Sequence, residues 1–164
     1  MILILTGPVR SHKTTTLLRW TENRNDCGGI LTPDEDGMRM LYNVREKKSI
    51  SYQINEKISD DDMIVGRFIF SSEGFLQAGT WLRDHLLNPS IHYLILDEIG
   101  PLELAGGGWD NCVKHAIPVL GEKNLILVVR RKLLEEVIQH YELKEYRIVE
   151  KDYFLSDGTK HLTD

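Results

Sequence analysis

The first sixteen residues constrain the fold more than any other stretch of the chain. An uninterrupted apolar run from Ile2 to Leu5 gives way at Gly7 to a loop, and a helix-like segment begins at Lys13. An apolar run without polar alternation is typical of a strand buried on both faces of a parallel sheet. Gly7, Lys13 and Thr14 also have the spacing of the pattern G-x-x-x-x-G-K-[ST]. The sequence therefore predicts a strand, a phosphate-binding loop and a helix, in that order.

The predicted loop supplies the groups that a bound triphosphate requires. Successive backbone N–H groups and the positive end of the following helix attract phosphate oxygens. Lys13 is placed to bridge the outer phosphates, Thr14 to offer its hydroxyl to Mg²⁺, and Thr15 to reach the inner phosphate. The residues that we expect to bind the nucleotide are Gly7, Pro8, Val9, Arg10, Ser11, His12, Lys13, Thr14 and Thr15.

His12 occupies the position at which the pattern has its second glycine. Glycine at this point lets the backbone approach the phosphates with torsion angles that a Cβ makes costly. A histidine forced to a positive φ costs on the order of 1 to 3 kcal/mol. Two hypotheses follow: the loop still binds a nucleotide, or its affinity is attenuated.

A second informative stretch begins about eighty residues after the loop. The strand-like run from Ile91 ends in the acidic pair Asp97 and Glu98. In phosphate-loop enzymes the acidic residue that ends such a strand holds Mg²⁺, and a neighbouring glutamate can polarise the attacking water. We therefore expect Asp97 and Thr14 to form the metal site and Glu98 to act in catalysis with Lys13. The alternative is a strand that simply ends in a surface acidic pair.

Arg130 and Arg131 follow another apolar strand, Asn124 to Val129. The carboxyl end of that strand should share the sheet edge at which ligands of open α/β folds bind. Arg130 is thus a candidate catalytic residue that meets the terminal phosphate as charge develops. The start of a surface helix is the alternative interpretation of both arginines.

The rest of the chain predicts an α/β domain with a mostly parallel central sheet. Two runs, Met38 to Val44 and Ser49 to Ile54, predict an antiparallel β meander. Acidic residues 60 to 62 are interpreted as a solvated loop. We also expect a strand over 68–70, a loop over 99–104 and a flexible glycine hinge at 106–108. Helices are predicted over 75–87, 109–116 and 133–141, one or two late strands over 147–155, and a turn at 156–158.

Composition excludes several classes of protein. The chain has 164 residues, of which 41% are hydrophobic and 27% charged, and a formal net charge of −5. An acidic chain lacks the excess of Lys and Arg that non-specific binding to nucleic acid requires. Neither a secretory leader nor a membrane span is evident. Cys27 and Cys112 have no C-x-x-C partner, and the histidines lack the spacing of a metal site. We expect a single domain over residues 1–164, monomeric and cytoplasmic.

Several stretches resemble the THEP1-type nucleoside-triphosphatases. They are Thr-Gly-x-x-x-x-x-Lys-Thr-Thr at the start, residues 29–33 with Arg39 after them, residues 65–68 and 73–75, and the segment from Leu96 to Leu104, which reads Leu-Asp-Glu-Ile-Gly-Pro-Leu-Glu-Leu. The similarity covers roughly residues 1–131. The chain departs from the family at Arg10 and His12, where glycines are usual.

The resemblance implies a three-layer phosphate-loop fold that hydrolyses ATP, GTP and other nucleoside triphosphates with Mg²⁺ and little base preference. It also implies that Gly7, Lys13, Thr14 and Thr15 bind phosphates, that Asp97 and Thr14 bind the metal, and that Glu98 acts on water. Two other functions stay open: a nucleotide-binding module with little turnover, and a kinase that transfers phosphate to a nucleoside or another small molecule.

Overall fold

A computed structural model describes residues 1–155. None of the helices in this range combines the length and apolar character needed to cross a membrane. In chain order the strands and helices are β1 (Ile2–Gly7), α1 (Lys13–Thr21), β2 (Cys27–Leu31), β3 (Asp34–Glu35), β4 (Met38–Asn43), β5 (Lys48–Ser51), β6 (Gln53–Ile54), β7 (Met63–Val65), β8 (Phe68–Phe70), α2 (Ser72–Leu87), β9 (Tyr93–Ile99), α3 (Pro101–Leu104), α4 (Asp110–Ala116), β10 (Asn124–Arg130), α5 (Leu134–His140), β11 (Tyr146–Val149) and α6 (Asp152–Leu155).

The central sheet is mostly parallel, as the apolar runs predict. Its parallel strands lie in the order β11-β1-β10-β9-β2. Strand β1 pairs along its whole length with β10, so that Gly7 lies opposite Arg130. All six residues of β1 are buried. The register therefore places the start of the phosphate-binding loop and the carboxyl end of β10 at one edge of the sheet.

Helices cover both faces of this sheet and form a three-layer α/β structure. Alternate residues of β1 point to opposite faces, as the strand geometry requires. Ile2 and Ile4 belong to the core under α2, α4 and α5, whereas Leu3 and Leu5 pack with Leu17 of α1. The α/β fold class expected from the sequence is confirmed.

The predicted meander is present but divides between two sheets. Strand β4 pairs antiparallel with β2, β3 and β5 and extends the central sheet. The run from Ser49 to Ile54, predicted as one strand, splits at Tyr52. Its second part, β6, joins β8 and β7 in a separate three-stranded sheet. Tyr52 is buried and stacks on Phe70, and both rings contact Phe75 of α2, with 5.7 and 6.5 Å between the ring centroids, which places the small sheet against α2.

Two predictions along the second half of the chain were wrong. The segment after β9 was expected to be a loop, but Pro101–Leu104 forms the short helix α3. Proline suits the first position of a helix, because the N–H group that it lacks would have no partner within the helix there.

A late strand is present at β11, but the chain then forms helix α6 over residues that were predicted as strand. Phe154 of α6 is buried against Trp20 of α1, with 5.0 Å between the ring centroids. The predicted turn at 156–158 lies outside the described residues.

The interpretation of residues 60–62 as a solvated loop holds for Asp60 and Asp61 but not for Asp62. The Asp62 side chain is buried and accepts hydrogen bonds from the backbone N–H groups of Ile58, Ser59 and Ser72, each at 2.8 Å. These bonds lower its pKa to about 2. Asp62 thereby ties the preceding loop to the first turn of α2.

Replacing Asp62 by alanine should lower the melting temperature at pH 7, because three backbone donors lose their acceptor. The folded-state pKa lies below the ordinary value of 3.8. The stabilisation should therefore be complete above about pH 4 and disappear as the pH falls toward 2. Thermal unfolding followed by circular dichroism tests this expectation. Asp60→Ala and Asp61→Ala are the matched controls, and equal melting temperatures for all three variants would contradict it.

Candidate nucleotide-binding site

The loop between β1 and α1 has left-handed backbone at the two positions where the THEP1-type pattern usually has glycine. Arg10 and His12 have φ values of 59° and 62°, both in the left-handed region. His12 is the N-cap residue that precedes α1, and within the described chain its side chain makes no capping hydrogen bond. The first N–H groups of α1 are therefore not satisfied by a capping side chain at this position. A helix start in this condition is a site for an anion.

Lys13 lies back across the loop. Its Nζ donates hydrogen bonds to the carbonyl oxygens of Gly7 and Pro8, at 3.4 and 2.9 Å, and to Ser11 Oγ at 3.1 Å. Burial lowers the pKa of Lys13, and the charge of Asp97 opposes this change. The ammonium group is therefore already held at the loop where an incoming phosphate would lie.

Asp97 connects the loop helix to two strands. Its Oδ2 accepts hydrogen bonds from Thr14 Oγ1 at 2.8 Å and from the N–H and Oγ1 of Thr32, both at 3.1 Å. The carboxylate is fully buried. Sequence reasoning brought Asp97 and Thr14 together, but it did not identify Thr32, which follows β2 and reaches Asp97 because β2 lies next to β9.

The oxygen atoms of Thr14 and Asp97 suit a magnesium ion. Mg²⁺ takes oxygen ligands, and it usually binds through one or two carboxylates together with substrate phosphates and water. Residues 1–155 contain no group of three or more His, Cys, Asp or Glu side chains that could hold a metal ion without such help. Thr14 and Asp97 are oxygen donors of the kind that Mg²⁺ takes, and they would form part of its coordination shell.

A β-bulge explains how two adjacent carboxylates serve one site. Successive side chains of a regular strand point to opposite faces. Between β9 and β10, Leu96 pairs with Leu127 and Ile99 with Val129, so β9 has one residue more than its partner. The extra residue bends the strand, and Glu98 has a φ of 58°. Both Asp97 and Glu98 consequently line the same cleft.

Glu98 forms an ion pair with Arg39 of β4. Burial raises the pKa of Glu98, and the neighbouring charge of Asp97 raises it further, whereas Arg39 lowers it. The sequence marked Arg39 only as part of a motif and assigned it no partner. Its position near Glu98 depends on the antiparallel pairing of β4 with β2, which no local pattern specifies.

The two arginines at the carboxyl end of β10 have different surroundings. Arg130 lines the cleft, where its charge affects both Lys13 and Glu98. Arg131 forms an exposed ion pair with Glu150. Of the two residues considered, the structure therefore places Arg130 at the predicted site.

The cleft has a volume of about 920 Å³ and two chemically different ends. The phosphate-binding loop, Asp97 and Arg130 line one end. The other end, which we call the aromatic end, is lined by Tyr52, Val65, Phe68, Phe70, Phe75 and Trp109. Phe75 packs on Trp109 with 4.7 Å between the ring centroids. Glu98 and Arg39 are also among the residues that line the cleft.

Glu103 is a buried carboxyl group beside this cleft. It accepts hydrogen bonds from the N–H groups of Gly100 and Trp109, at 2.8 and 3.1 Å. Gly108 has a φ of +53°, and a Cβ there would lie 2.1 Å from Glu103 Oε1. The glycines predicted as a hinge thus include one that permits close packing against this carboxyl group. Burial raises the pKa of Glu103 to about 7.

The raised pKa of Glu103 predicts a pH-dependent stability. Between about pH 4.5 and pH 7 the native state binds more protons at this group than the unfolded chain does, so the free energy of unfolding falls as the pH rises. A difference of this size corresponds to roughly 3 kcal/mol. Glu103→Gln cannot titrate, and its stability should fall less over this range. Urea unfolding at a series of pH values measures the slope, with exposed Glu122→Gln as the control; identical slopes in all three proteins would contradict the prediction.

Comparisons with known proteins identify a family and two structures with a similar fold. A family model described as NTPase matches residues 2–153. Two solved structures are similar: the crystal structure of THEP1 from the hyperthermophile Aquifex aeolicus, at 20% identity over 100% of both chains with a TM-score of 0.75, and the solution structure of a human cancer-related nucleoside triphosphatase, at 18% identity over 99% of this chain and 97% of that chain with a TM-score of 0.69. Among curated proteins no sequence matches. The two structures share the fold of this chain.

Proposed function

The chain belongs to the NTPase family, and we propose that it hydrolyses the terminal phosphoanhydride bond of ATP, GTP and other nucleoside triphosphates with Mg²⁺. The observation that carries this proposal is the contact between Thr14 of the loop helix and Asp97 of β9, with Glu98 beside it. This contact joins a phosphate-binding loop to the acidic end of a strand. A loop match that had arisen by chance would not require it.

In this proposal the loop binds the phosphate chain. The N–H groups at the start of α1 and the backbone of residues 7–12 surround the phosphates, with the helix dipole favouring their negative charge. Lys13 neutralises the outer phosphates, exchanging its hydrogen bonds to the loop carbonyls for bonds to phosphate oxygens. Arg130 approaches the terminal phosphate from the end of β10.

Thr14 and Asp97 are the residues that would hold Mg²⁺. When bound, the ion neutralises charge on the phosphates as the bond to the leaving oxygen breaks. Asp97 is suited to this role because its buried carboxylate is held by Thr32 as well as by Thr14. Thr32 is therefore expected to keep Asp97 in place when Thr14 exchanges its hydrogen bond for the metal.

Glu98 orients the attacking water. Its carboxylate lies next to Asp97 and is partly accessible from the cleft. The water forms a bond to the terminal phosphorus while the bond from that phosphorus to the bridging oxygen breaks. The nucleoside diphosphate leaves with the bridging oxygen, and the proton lost by the water passes toward Glu98 and the released phosphate.

Lys13→Ala should weaken nucleotide binding and abolish turnover, since it removes the cation that faces the outer phosphates. Glu98→Gln should keep binding but reduce kcat by about 100-fold or more, because the amide cannot accept the proton of the water. Phosphate release from ATP and GTP gives kcat, and titration calorimetry with a non-hydrolysable triphosphate gives Kd. Equal turnover in the wild type and both variants would overturn the proposed hydrolysis.

The first alternative is a nucleotide-binding module with an attenuated loop and little turnover. Substitution of His12 distinguishes this module from an active hydrolase. The folded chain has left-handed backbone at His12, and we assign the strain there to folding rather than to binding. His12→Gly should therefore change the affinity for Mg-ATP by less than about threefold. Valine tolerates left-handed backbone poorly, so His12→Val should weaken the binding of Mg-ATP. A gain of about tenfold or more in His12→Gly, measured by calorimetry, would favour the attenuated module.

A kinase is the second alternative, and the aromatic end of the cleft favours it over other transferases. Its aromatic rings line the same cleft as Glu98 and are of the kind on which a planar molecule stacks. In a kinase, a hydroxyl of that molecule would replace water as the acceptor. Stimulation of ATP consumption by added nucleosides, with formation of a phosphorylated nucleoside, would support this reaction over hydrolysis. The broad base preference, the monomeric state, the cytoplasmic location and the single domain over residues 1–164 stay predictions.

A further inference from the structure

The orientation of Glu98 is not determined by regular strand geometry. The residue lies in the β-bulge of β9, with a backbone φ of 58°. Its side chain is 36% exposed, so packing alone leaves it room to move. The adjacent buried carboxylate of Asp97 repels it. In these surroundings the Glu98 side chain needs a specific hydrogen-bond partner to keep a single orientation.

Arg39 provides that partner. Among the described residues, it is the one whose side chain is hydrogen-bonded to the carboxylate of Glu98. The Arg39 side chain is more enclosed than its partner, with 26% of its surface exposed. A planar guanidinium group also imposes direction on a carboxylate more strongly than an ammonium group does.

Arg39 belongs to a strand that is hydrogen-bonded to its neighbours. Strand β4 is paired on both sides, and Arg39 is in register with Asp34 of β3. The N–H of Arg39 donates a hydrogen bond to Gln53 Oε1 at 3.0 Å, and Gln53 is buried. The antiparallel extension of the sheet thus supplies a fixed point from which a side chain reaches the cleft.

We propose that Arg39 is a positioning residue, which holds Glu98 in the direction from which it orients the attacking water. The proposal rests on the proposed hydrolysis for its kinetic consequence, but its structural content concerns Glu98 alone. Arg39 acts through Glu98 and not by direct contact with the phosphates. It also gives the antiparallel meander a function at the site.

The kinetic test separates action through Glu98 from direct contact with substrate. Arg39→Ala should lower kcat by about 10- to 100-fold, the cost of a misplaced catalytic group, and leave KM nearly unchanged. Arg39→Lys should recover part of this loss, since it keeps the charge but not the planar group. In a Glu98→Gln background, Arg39→Ala should cause no further loss. A full loss in that background, or a rise in KM with kcat unchanged, would overturn the proposal.

A structural test does not depend on hydrolysis. In crystal structures of Arg39→Ala and of the wild type, both with Mg²⁺ and a non-hydrolysable triphosphate, the Glu98 carboxylate should have turned away only in the variant. An unchanged Glu98 would overturn the positioning role. Arg45→Ala, from the turn after β4, is the matched control and should leave both Glu98 and kcat as in the wild type. If the wild type shows no hydrolysis that depends on Lys13, the proposed function fails, and the direction of Glu98 still decides the role of Arg39.

Discussion

The buried carboxylate of Asp97 joins three parts of the chain that are far apart in sequence. Hydrogen bonds from Thr14 and Thr32 bring together the start of α1, the end of β2 and the end of β9. Burial of a carboxylate without such donors would cost far more than a typical hydrogen bond contributes. The position of the loop helix relative to the sheet is therefore coupled to the chemistry of the site, because the group that fits a metal also holds the elements together.

The sequence predicted those features that depend on local pattern. The loop at Lys13 and the acidic end of β9 were recognised because each is a short motif after an apolar strand, and in the structure Thr14 donates a hydrogen bond to Asp97. The family match agrees with the resemblance that these motifs indicated. The contacts of Arg39 with Glu98 and of Thr32 with Asp97 were missed for one reason. Each depends on which element lies next to which, and sequence periodicity contains no information about the neighbour of a strand.

His12 illustrates a different relation between sequence and structure. The missing glycine indicated strain, and the structure shows that the left-handed conformation is present at both His12 and Arg10. A phosphate-binding loop can thus keep its shape when glycine is replaced, provided that the surrounding contacts determine the backbone. Here the contacts of Lys13 with Gly7, Pro8 and Ser11 close the loop from within. The pattern of glycines describes the least strained way to build such a loop.

The β-bulge at Asp97 and Glu98 limits how this site can change in evolution. Residues added to most surface loops leave the rest of a fold in place, but Asp97 and Glu98 are the two residues between Leu96 and Ile99, so a deletion that restored the regular register would remove one of the two carboxylates. The number of residues in this short stretch is as important as their identity. An acidic pair transplanted to the end of another parallel strand would consequently supply one carboxylate to the cleft unless the irregularity moved with it.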